Sequence, residues 1–300
     1  MMRSLLFVPG DQDRKMAKAS GSGADALILD LEDSVAVPRK AEARQMVTAF
    51  LAQADRSAPA PRLIVRVNAL DTGLTDDDLA AVVAAAPDAI LLPKAGSGAD
   101  LQDLSARIAV HEAEAGLPDG AIRIHALMTE TARGLLSAGS FAGKSARLSA
   151  LAWGAEDLAA DIGAASNKDE TGRYTDVFRM ARSLTLLAAA DAGVEAIDTV
   201  FTDFRDNDAL AAECRAAVRD GFSGKMAIHP GQVETINAAF TPAREDVERA
   251  VRILALFAAA GPDAGVLSLD GKMIDRPHLR QAERVARRAG LDAAALPQNG

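Results

Sequence analysis

Short apolar runs of strand length alternate along most of the chain with longer segments of helical composition. Eight such runs lie between residues 4 and 228: Ser4–Pro9, Ala26–Leu31, Leu63–Asn68, Ala89–Pro93, Ile122–Met128, Leu148–Trp153, Ala196–Phe201 and Met226–Ile228. Runs that are apolar nearly throughout, rather than at every second position, are typical of parallel strands buried on both faces. The pattern therefore predicts eight βα units.

The regularity of this alternation favours a closed (β/α)8 TIM barrel over an open doubly wound sheet. The first strand is the weakest of the eight predictions, because it would also suit a sheet edge. Beyond the eighth unit, the sequence predicts a helix after Pro242, a turn at the Leu-Asp-Gly sequence and a last helix from Pro277. We therefore expect a catalytic barrel at residues 1–240 and a C-terminal helical extension at 241–300. The extension would pack on its own subunit, cover the active site or reach a neighbouring subunit, whose active site it could cover.

Composition narrows the classes of function. The chain has 300 residues, is 49% hydrophobic and carries a net charge of -9, which disfavours nucleic acid and anionic membranes as partners. The first apolar run is too short for a signal sequence or a membrane span, so we expect a cytoplasmic protein. The single cysteine, Cys214, excludes a disulfide framework and a multi-cysteine zinc site, and its helical surroundings predict a thiol in the core or on a helix face.

Charged and polar side chains are concentrated where the predicted strands end. In a TIM barrel the catalytic groups gather at the carboxyl ends of the strands. Those positions hold five carboxylates, two cations, an asparagine and a histidine: Glu32, Asp33, Arg66, Asn68, Lys94, Glu130, Asp157, Asp203 and His229. This is more charge than folding requires, and it indicates an enzyme.

Two of these positions indicate a divalent cation. Glu130 follows the fifth strand and Glu156-Asp157 follow the sixth, so neighbouring parallel strands would bring the carboxylates together. The alternative is that these acids cap the helices after them. Because HExxH, CxxC and clustered histidines are absent from the sequence, carboxylates indicate Mg²⁺, with Mn²⁺ as a substitute, rather than zinc or iron. The spacing does not decide between Glu156 and Asp157.

The other polar groups at the strand ends have two interpretations each. Arg66 needs a bidentate carboxylate partner, either from a substrate or from Glu32 or Asp33. Lys94 fits an ion pair better than a Schiff base, and His229 fits a structural hydrogen bond better than a general base.

A basic cluster follows the first strand. Arg14, Lys15 and Lys18 would form either a solvated helix face or a contact for a phosphate-bearing ligand. The sequence contains neither GxGxxG nor a P-loop, which disfavours a Rossmann cofactor and a P-loop nucleotide, and it lacks GxSxG.

Eight segments in a fixed order carry a resemblance to a known family. They are Arg3–Gly10 (RSLLFVPG), Leu27–Val35 (LILDLEDSV), Val65–Asn68 (VRVN), Leu91–Lys94 (LLPK), Glu130–Leu136 (ETARGLL), Trp153–Gly163 (WGAEDLAADIG), Gly221–Val233 (GFSGKMAIHPGQV) and Asp270–Asp275 (DGKMID). Together they resemble the citrate lyase beta-subunit group of the HpcH/HpaI aldolase superfamily, which includes malyl-CoA and citramalyl-CoA lyases. The likeness runs nearly from end to end and is specific for the family, but much less so for the substrate.

The resemblance implies a Mg²⁺-dependent barrel enzyme that acts on acyl-CoA thioesters as a homotrimer or hexamer. Glu130 and Asp157 would be the metal ligands, and Arg66 would hold a small 2-oxo acid. Asp275 would be the acid/base residue, supplied to the active site of an adjacent subunit. One departure is the pair Met128-Thr129, since relatives often carry an apolar residue directly before the acid. This departure leaves the choice of substrate open.

The remaining site residues have supporting roles in this comparison. Glu32 and Asp33 would support Arg66 and the water shell of the metal, so both belong to the predicted catalytic set. Arg14 and Lys18 would face the CoA phosphates, and Asn68 joins Arg66 in the predicted substrate-binding set.

The expected reaction is reversible C–C cleavage of a 3-hydroxy-3-carboxyl acyl-CoA, of the malyl-CoA or citramalyl-CoA type, to acetyl-CoA and a 2-oxo acid. The first alternative is a citrate lyase beta subunit that acts on citryl-acyl carrier protein within a multisubunit complex, and another is a thioesterase. Outside enzymes, the alternative is a CoA-binding regulatory module. The presence of Glu130, Asp157, Arg66 and Asp275 together argues against such a module.

Overall fold

A computed structural model describes residues 2–57, 59–261 and 264–291. Eight parallel strands form a closed barrel in chain order: β1 (Ser4–Pro9), β2 (Ala26–Asp30), β3 (Arg62–Arg66), β4 (Ala89–Leu92), β5 (Arg123–Leu127), β6 (Leu148–Ala152), β7 (Glu195–Asp198) and β8 (Gly224–Ala227). The predicted TIM barrel is therefore confirmed. Because β1 pairs with both β2 and β8, the first strand is not an edge.

Helices follow the strands in the order that the sequence predicts. They are α1 (Asp13–Ala19), α2 (Lys40–Gln53), α3 (Thr75–Val82), α4 (Gly98–Glu114), α5 (Ala132–Leu136), α6 (Ala155–Ile162), α7 (Asp176–Ala192), α8 (Asn207–Asp220) and α9 (Val233–Phe240). Both α6 and α7 lie between β6 and β7. Cys214 on α8 is fully buried, so of the two predicted positions it occupies the one in the core.

The side-chain alternation of the strands explains where the active site forms. Successive side chains on a strand point to opposite faces, so every second residue enters the barrel. Ile28 on β2 and Ile64 on β3 belong to the buried cluster that fills the interior. Two residues further along, the same alternation brings in Asp30 and Arg66, which are paired in the strand register. The apolar interior thus becomes polar at the carboxyl ends of the strands.

Residues 2–237 form one compact unit, and the described residues of 238–291 belong to a second one. In this unit, α10 (Arg244–Ala260) and α11 (Arg276–Arg288) enclose a small core with an antiparallel hairpin of β9 (Val266–Leu269) and β10 (Lys272–Asp275). The described part of the extension therefore contains the two predicted helices, with two strands between them where the sequence predicts only a turn. The two residues between the strands, Asp270 and Gly271, have φ angles of 52° and 75°, as in a two-residue hairpin turn. The sequence-based boundary after residue 240 stays a prediction. None of the helices in the described residues combines the length and the apolar character that crossing a bilayer requires.

Candidate active site

A buried arginine and its partner acid lie at the carboxyl ends of two neighbouring strands. Arg66 donates from Nε to Oδ1 and from Nη2 to Oδ2 of Asp30, and both distances are 2.7 Å. The bidentate partner of Arg66 is therefore Asp30, which was not among the acids predicted from the sequence, Glu32 and Asp33. Asp30 was hidden inside an apolar run, although its spacing of two from Ile28 marks it as inward-facing.

Glu32 is the second acid that contacts Arg66. Its Oε2 lies 2.8 Å from Nη1 of Arg66, and the guanidinium also lies over the ring of Phe7, 4.8 Å from the ring centroid. Burial, which alone would lower the pKa of Arg66, is outweighed by the hydrogen bonds and charge of Asp30 and by the charges of Glu32 and Glu130, so this pKa is raised. Arg66 is therefore a fixed positive charge.

Lys94 occupies the middle of the acidic cluster. Its ammonium contacts Glu32 at very short range and lies 3.1 Å from Oδ2 of Asp33 and 3.3 Å from Oδ1 of Asp157. Burial would lower the pKa of Lys94, but the hydrogen bond to Glu32 and the surrounding carboxylate charges raise it. The ion pair that the sequence predicts for Lys94 is confirmed, and the charged ammonium is unsuited to forming a Schiff base.

Glu130 is a buried carboxylate that accepts a hydrogen bond from the main chain. Its Oε2 accepts from the backbone N–H of Lys94 at 2.6 Å. Burial, followed by the charge of Asp157, raises the pKa of Glu130 to about 8. Gly154 leaves room for this side chain, since a Cβ there would lie 2.7 Å from Cγ of Glu130. The surroundings therefore disfavour a bare negative charge on Glu130.

Of the two candidate acids after β6, Glu156 and Asp157, the structure places only Asp157 beside Lys94. Asp157 points to the same cluster as Glu130 and Lys94, whereas Glu156 accepts a hydrogen bond from Nδ2 of Asn167 at 2.8 Å. Neither Glu130 nor Asp157 acts as a side-chain cap in the described residues. Thr131 caps α5, and Gly154 stands at the N-cap of α6. The geometry thus favours a shared role for Glu130 and Asp157 over helix capping.

The donor set at Glu130 and Asp157 fits a hard divalent cation. Within the described residues, no group of three or more Asp, Glu, His or Cys side chains is arranged to hold a metal. A cation held by these two carboxylates would complete its shell with water and substrate oxygens, as Mg²⁺ commonly does. A positive charge between them would also relieve the repulsion and the burial cost that raise the pKa of Glu130.

Other predicted residues are engaged in holding the loops in place. Asn68 donates from Nδ2 to Asp78 at 2.7 Å and to the carbonyl of Leu31 at 3.1 Å, so its amide nitrogen is occupied within the barrel wall. Lys40 donates to the carbonyls of Leu31 and Glu32, both at 2.7 Å. These contacts fix the segment that carries Glu32. Asp33 is mostly exposed and contacts only the ammonium of Lys94 in the described ion pairs.

The remaining candidates lie outside this cluster. Arg14, Lys15 and Lys18 are exposed on α1, and none of them takes part in an ion pair among the described residues. His229 accepts from the backbone N–H of Gly231 at 3.1 Å, which is the structural role that the sequence favours.

Asp275 lies in the C-terminal unit at the start of α11. Its Oδ1 is 2.6 Å from Nδ1 of His278, and this hydrogen bond is the main reason why the pKa of Asp275 is lowered.

Comparisons with known proteins show which family and which solved structures this chain resembles. The model of the family described as HpcH/HpaI aldolase/citrate lyase matches residues 3–230. A (3S)-malyl-CoA thioesterase of Cereibacter sphaeroides is 37% identical over 293 residues, which cover 97% of this chain and 96% of that protein. Citrate lyase subunit beta of Leuconostoc mesenteroides subsp. cremoris is 35% identical over 295 residues, covering 97% of this chain and 94% of that protein. A crystal structure of protein CitE from Mycobacterium tuberculosis in complex with magnesium, acetoacetate and coenzyme A matches with a TM-score of 0.74 and 34% identity, covering 96% of this chain and 98% of that chain.

Proposed function

The chain belongs to the HpcH/HpaI aldolase/citrate lyase family, and we propose that it is a Mg²⁺-dependent carbon–carbon lyase. Its substrate would be a 3-hydroxy-3-carboxyl acyl-CoA of the malyl-CoA or citramalyl-CoA type, cleaved reversibly to acetyl-CoA and a 2-oxo acid. The observation that carries this proposal is the grouping, at one edge of the barrel, of the acidic pair Glu130 and Asp157 with the fixed guanidinium of Arg66. A related structure with bound magnesium, acetoacetate and coenzyme A supports it.

Glu130 and Asp157 would hold the metal ion. Bound there, Mg²⁺ would polarise the carbonyl oxygen of the 2-oxo acid and stabilise the negative charge that develops on it. The two carboxylates supply oxygen ligands that suit Mg²⁺ and Mn²⁺.

Arg66 has the donors that recognition of a substrate carboxylate requires. A guanidinium carries five N–H groups. Two of them, on Nε and Nη2, donate to Asp30, and Nη1 lies 2.8 Å from Oε2 of Glu32 in an ion pair, which leaves N–H groups on both terminal nitrogens for a ligand. Two parallel N–H groups match the two oxygens of a carboxylate. Since Asp30 and Glu32 hold the guanidinium in place, a 2-oxo acid bound to it would be presented in one orientation.

Asp275 would be the acid/base residue, supplied by an adjacent subunit of a homotrimer or hexamer. The hydrogen bond to His278 favours the ionised carboxylate, as a base requires. In condensation, Asp275 would remove a proton from the methyl group of acetyl-CoA, and the resulting enolate would attack the carbonyl carbon of the 2-oxo acid. In cleavage, Asp275 would take the proton of the substrate hydroxyl, the C–C bond would break, and Asp275 would return that proton to the enolate carbon to give acetyl-CoA.

A coupled assay with purified protein tests the proposal. Malyl-CoA, citramalyl-CoA and citryl-CoA would each be offered with Mg²⁺ and with EDTA, and acetyl-CoA and the 2-oxo acid would be measured. We expect metal-dependent release of both products, lost in Glu130→Ala. Glu156→Ala is the matched control, because it removes a neighbouring acid that contacts Asn167 instead of the cluster, and it should retain activity. Absence of turnover with all three thioesters would overturn the proposal of a stand-alone lyase.

Two other reactions are favoured by named relatives. The similarity to a (3S)-malyl-CoA thioesterase makes hydrolysis of the thioester the second candidate, and release of free CoA without acetyl-CoA in the same assay would identify it. The similarity to citrate lyase subunit beta suggests an acyl carrier protein as the carrier of the substrate. Turnover of citryl-acyl carrier protein, without turnover of the CoA esters, would identify that role.

A further inference from the structure

Lys94 has a backbone conformation that requires an explanation. It follows β4 and has a φ of 50°, and among the described residues only Ala86 and Asp270 share a positive φ without being glycine. Ala86 and Asp270 both lie in turns, at the end of a short 3-10 helix and in the β9–β10 hairpin. A lysine in the left-handed region is uncommon and costs energy, and such conformations persist where the surroundings hold them in place.

This conformation places both ends of Lys94 against the acidic cluster. The backbone N–H donates to Oε2 of Glu130 at 2.6 Å, and the ammonium lies 3.3 Å from Oδ1 of Asp157. One residue therefore contacts both of the proposed metal ligands, one through the main chain and the other through a charged side chain. The ammonium also contacts Glu32 and lies 3.1 Å from Asp33.

The ammonium and a divalent cation would compete for Asp157. Two positive charges that share one carboxylate lie within a few ångströms of each other, and their repulsion is strong in a partly buried site. The backbone N–H of Lys94 carries no such penalty, because it helps to hold Glu130 whether or not a cation is bound. The competition is therefore confined to the side chain.

We propose that Lys94 is a positioning residue whose ammonium serves as an exchangeable counter-ion for Asp157 and gives up this contact when the divalent cation binds. The inference rests on the proposed metal site at Glu130 and Asp157. While the cation is bound, the ammonium remains with Glu32 and Asp33. Glu32 is also a partner of Arg66, with 2.8 Å between Oε2 and Nη1. Lys94 thus connects the occupation of the metal site with the residue that holds the substrate-binding arginine.

Removal of the Lys94 ammonium should therefore lower the stability of the metal-free protein and raise its affinity for Mg²⁺. Without its ammonium, Asp157 has no counter-ion from Lys94, so the protein in EDTA should unfold at a lower temperature. For the same reason Mg²⁺ meets less repulsion, so it should bind more tightly. A lysine with a purely structural role would lower the unfolding temperature equally with and without Mg²⁺.

The test compares the full-length protein with Lys94→Met, which keeps the aliphatic stem and removes the charge. Titration calorimetry with MgCl₂ should show a dissociation constant on the order of tenfold lower in the variant. In EDTA the variant should unfold at a lower temperature than the wild type. Saturating Mg²⁺ should raise the unfolding temperature of the variant by more than it raises that of the wild type. The matched control is Lys168→Met. Lys168 is exposed to a similar degree and pairs with Glu213 instead of the cluster, so Mg²⁺ affinity should be unchanged.

The outcomes separate this inference from the proposed function. Equal or weaker Mg²⁺ binding by Lys94→Met, with normal binding by the wild type, would overturn the role of Lys94 and leave the metal site in place. Absence of Mg²⁺ binding by the wild type would overturn both. If the methionine variant does not fold, Lys94→Gly takes its place, because glycine adopts a positive φ without strain and also lacks the ammonium.

Discussion

Asp30 and Arg66 are paired residues on adjacent strands, and they form a bidentate ion pair with two N–O distances of 2.7 Å. Burial, which raises the pKa of Asp30, is outweighed by the hydrogen bonds and charge of Arg66, so the pKa of Asp30 is lowered. Breaking a buried pair leaves an uncompensated charge behind. We expect Asp30→Asn to reduce the free energy of unfolding by roughly 3 kcal/mol. We also expect it to lower kcat/KM by about 100-fold, because Arg66 loses its orientation.

A second ion pair of the same geometry provides the control. Arg3 donates from Nε and Nη2 to the two oxygens of Asp25, also at 2.7 Å, but these side chains are 29% and 18% exposed and precede β1 and β2. Asp25→Asn should cost about 1 kcal/mol in stability and leave kcat/KM unchanged. Urea unfolding and steady-state assays of both variants measure the difference. Equal losses of activity in the two variants would contradict a positioning role for Asp30.

The barrel could be predicted from the sequence because its signal is local. A strand buried on both faces needs only a short apolar run, and each run here is followed by a helix that is visible in composition. The polar residues at the carboxyl ends of the strands could be predicted too, because each directly follows or ends one of these apolar runs. The hairpin at Val266–Asp275 was missed because the second unit has its own small core, and short runs there lack the alternation with helices that identifies the barrel strands.

The contacts within the site could not be predicted in the same way. That Arg66 pairs with Asp30 depends on strand register, and that Asp157 rather than Glu156 faces Lys94 depends on the rotation of α6 about its axis. The left-handed conformation of Lys94 leaves no mark in the sequence, since it is a lysine and not a glycine. Each of these contacts is set by tertiary structure.

Mixed oligomers test whether Asp275 acts on an adjacent subunit. Chains carrying Glu130→Ala and chains carrying Asp275→Asn should each be inactive. If a site combines Glu130 of one chain with Asp275 of another, random assembly of equal amounts restores about one quarter of the sites. The assay is lyase activity after the two variants are unfolded together and refolded. Activity that stays at the level of either variant alone would show that each site draws both residues from one chain.

Variants of the basic cluster on α1 test whether Arg14 and Lys18 contact the phosphates of coenzyme A. Arg14 and Lys18 lie four residues apart at exposed positions of α1, so both face the same side of the helix. The double variant Arg14→Ala with Lys18→Ala should raise KM for the CoA thioester by roughly tenfold with kcat unchanged, since a phosphate contact is made equally in the ground and transition states. Lys15→Ala is the control on the same helix. A thioester of N-acetylcysteamine, which lacks the phosphates, should be turned over equally by all variants, and a rise of its KM in the double variant would exclude a phosphate contact.

The buried His125 on β5 should make the free energy of unfolding depend on pH. Its side chain has the same inward alternation as Leu127 and is 4% exposed. Burial, followed by the charges of Arg62 and Arg123, lowers the pKa of His125 from 6.5 to about 4. Between these two values the unfolded chain binds a proton on this residue and the folded protein does not. The free energy of unfolding should therefore be independent of His125 above pH 6.5 and decrease as the pH falls towards 4, by roughly 3 kcal/mol in total.

The variant that tests this dependence is His125→Gln, which has no charge to gain. The slope of the unfolding free energy between pH 6 and 5 should become shallower by about 1 kcal/mol per pH unit. Any constant loss of stability from repacking leaves this slope unaffected, so the comparison remains valid when the variant is less stable overall. Since burial of the neutral imidazole is the cause, an unchanged slope in His125→Gln would mean that His125 is protonated to the same extent in the folded protein and in the unfolded chain.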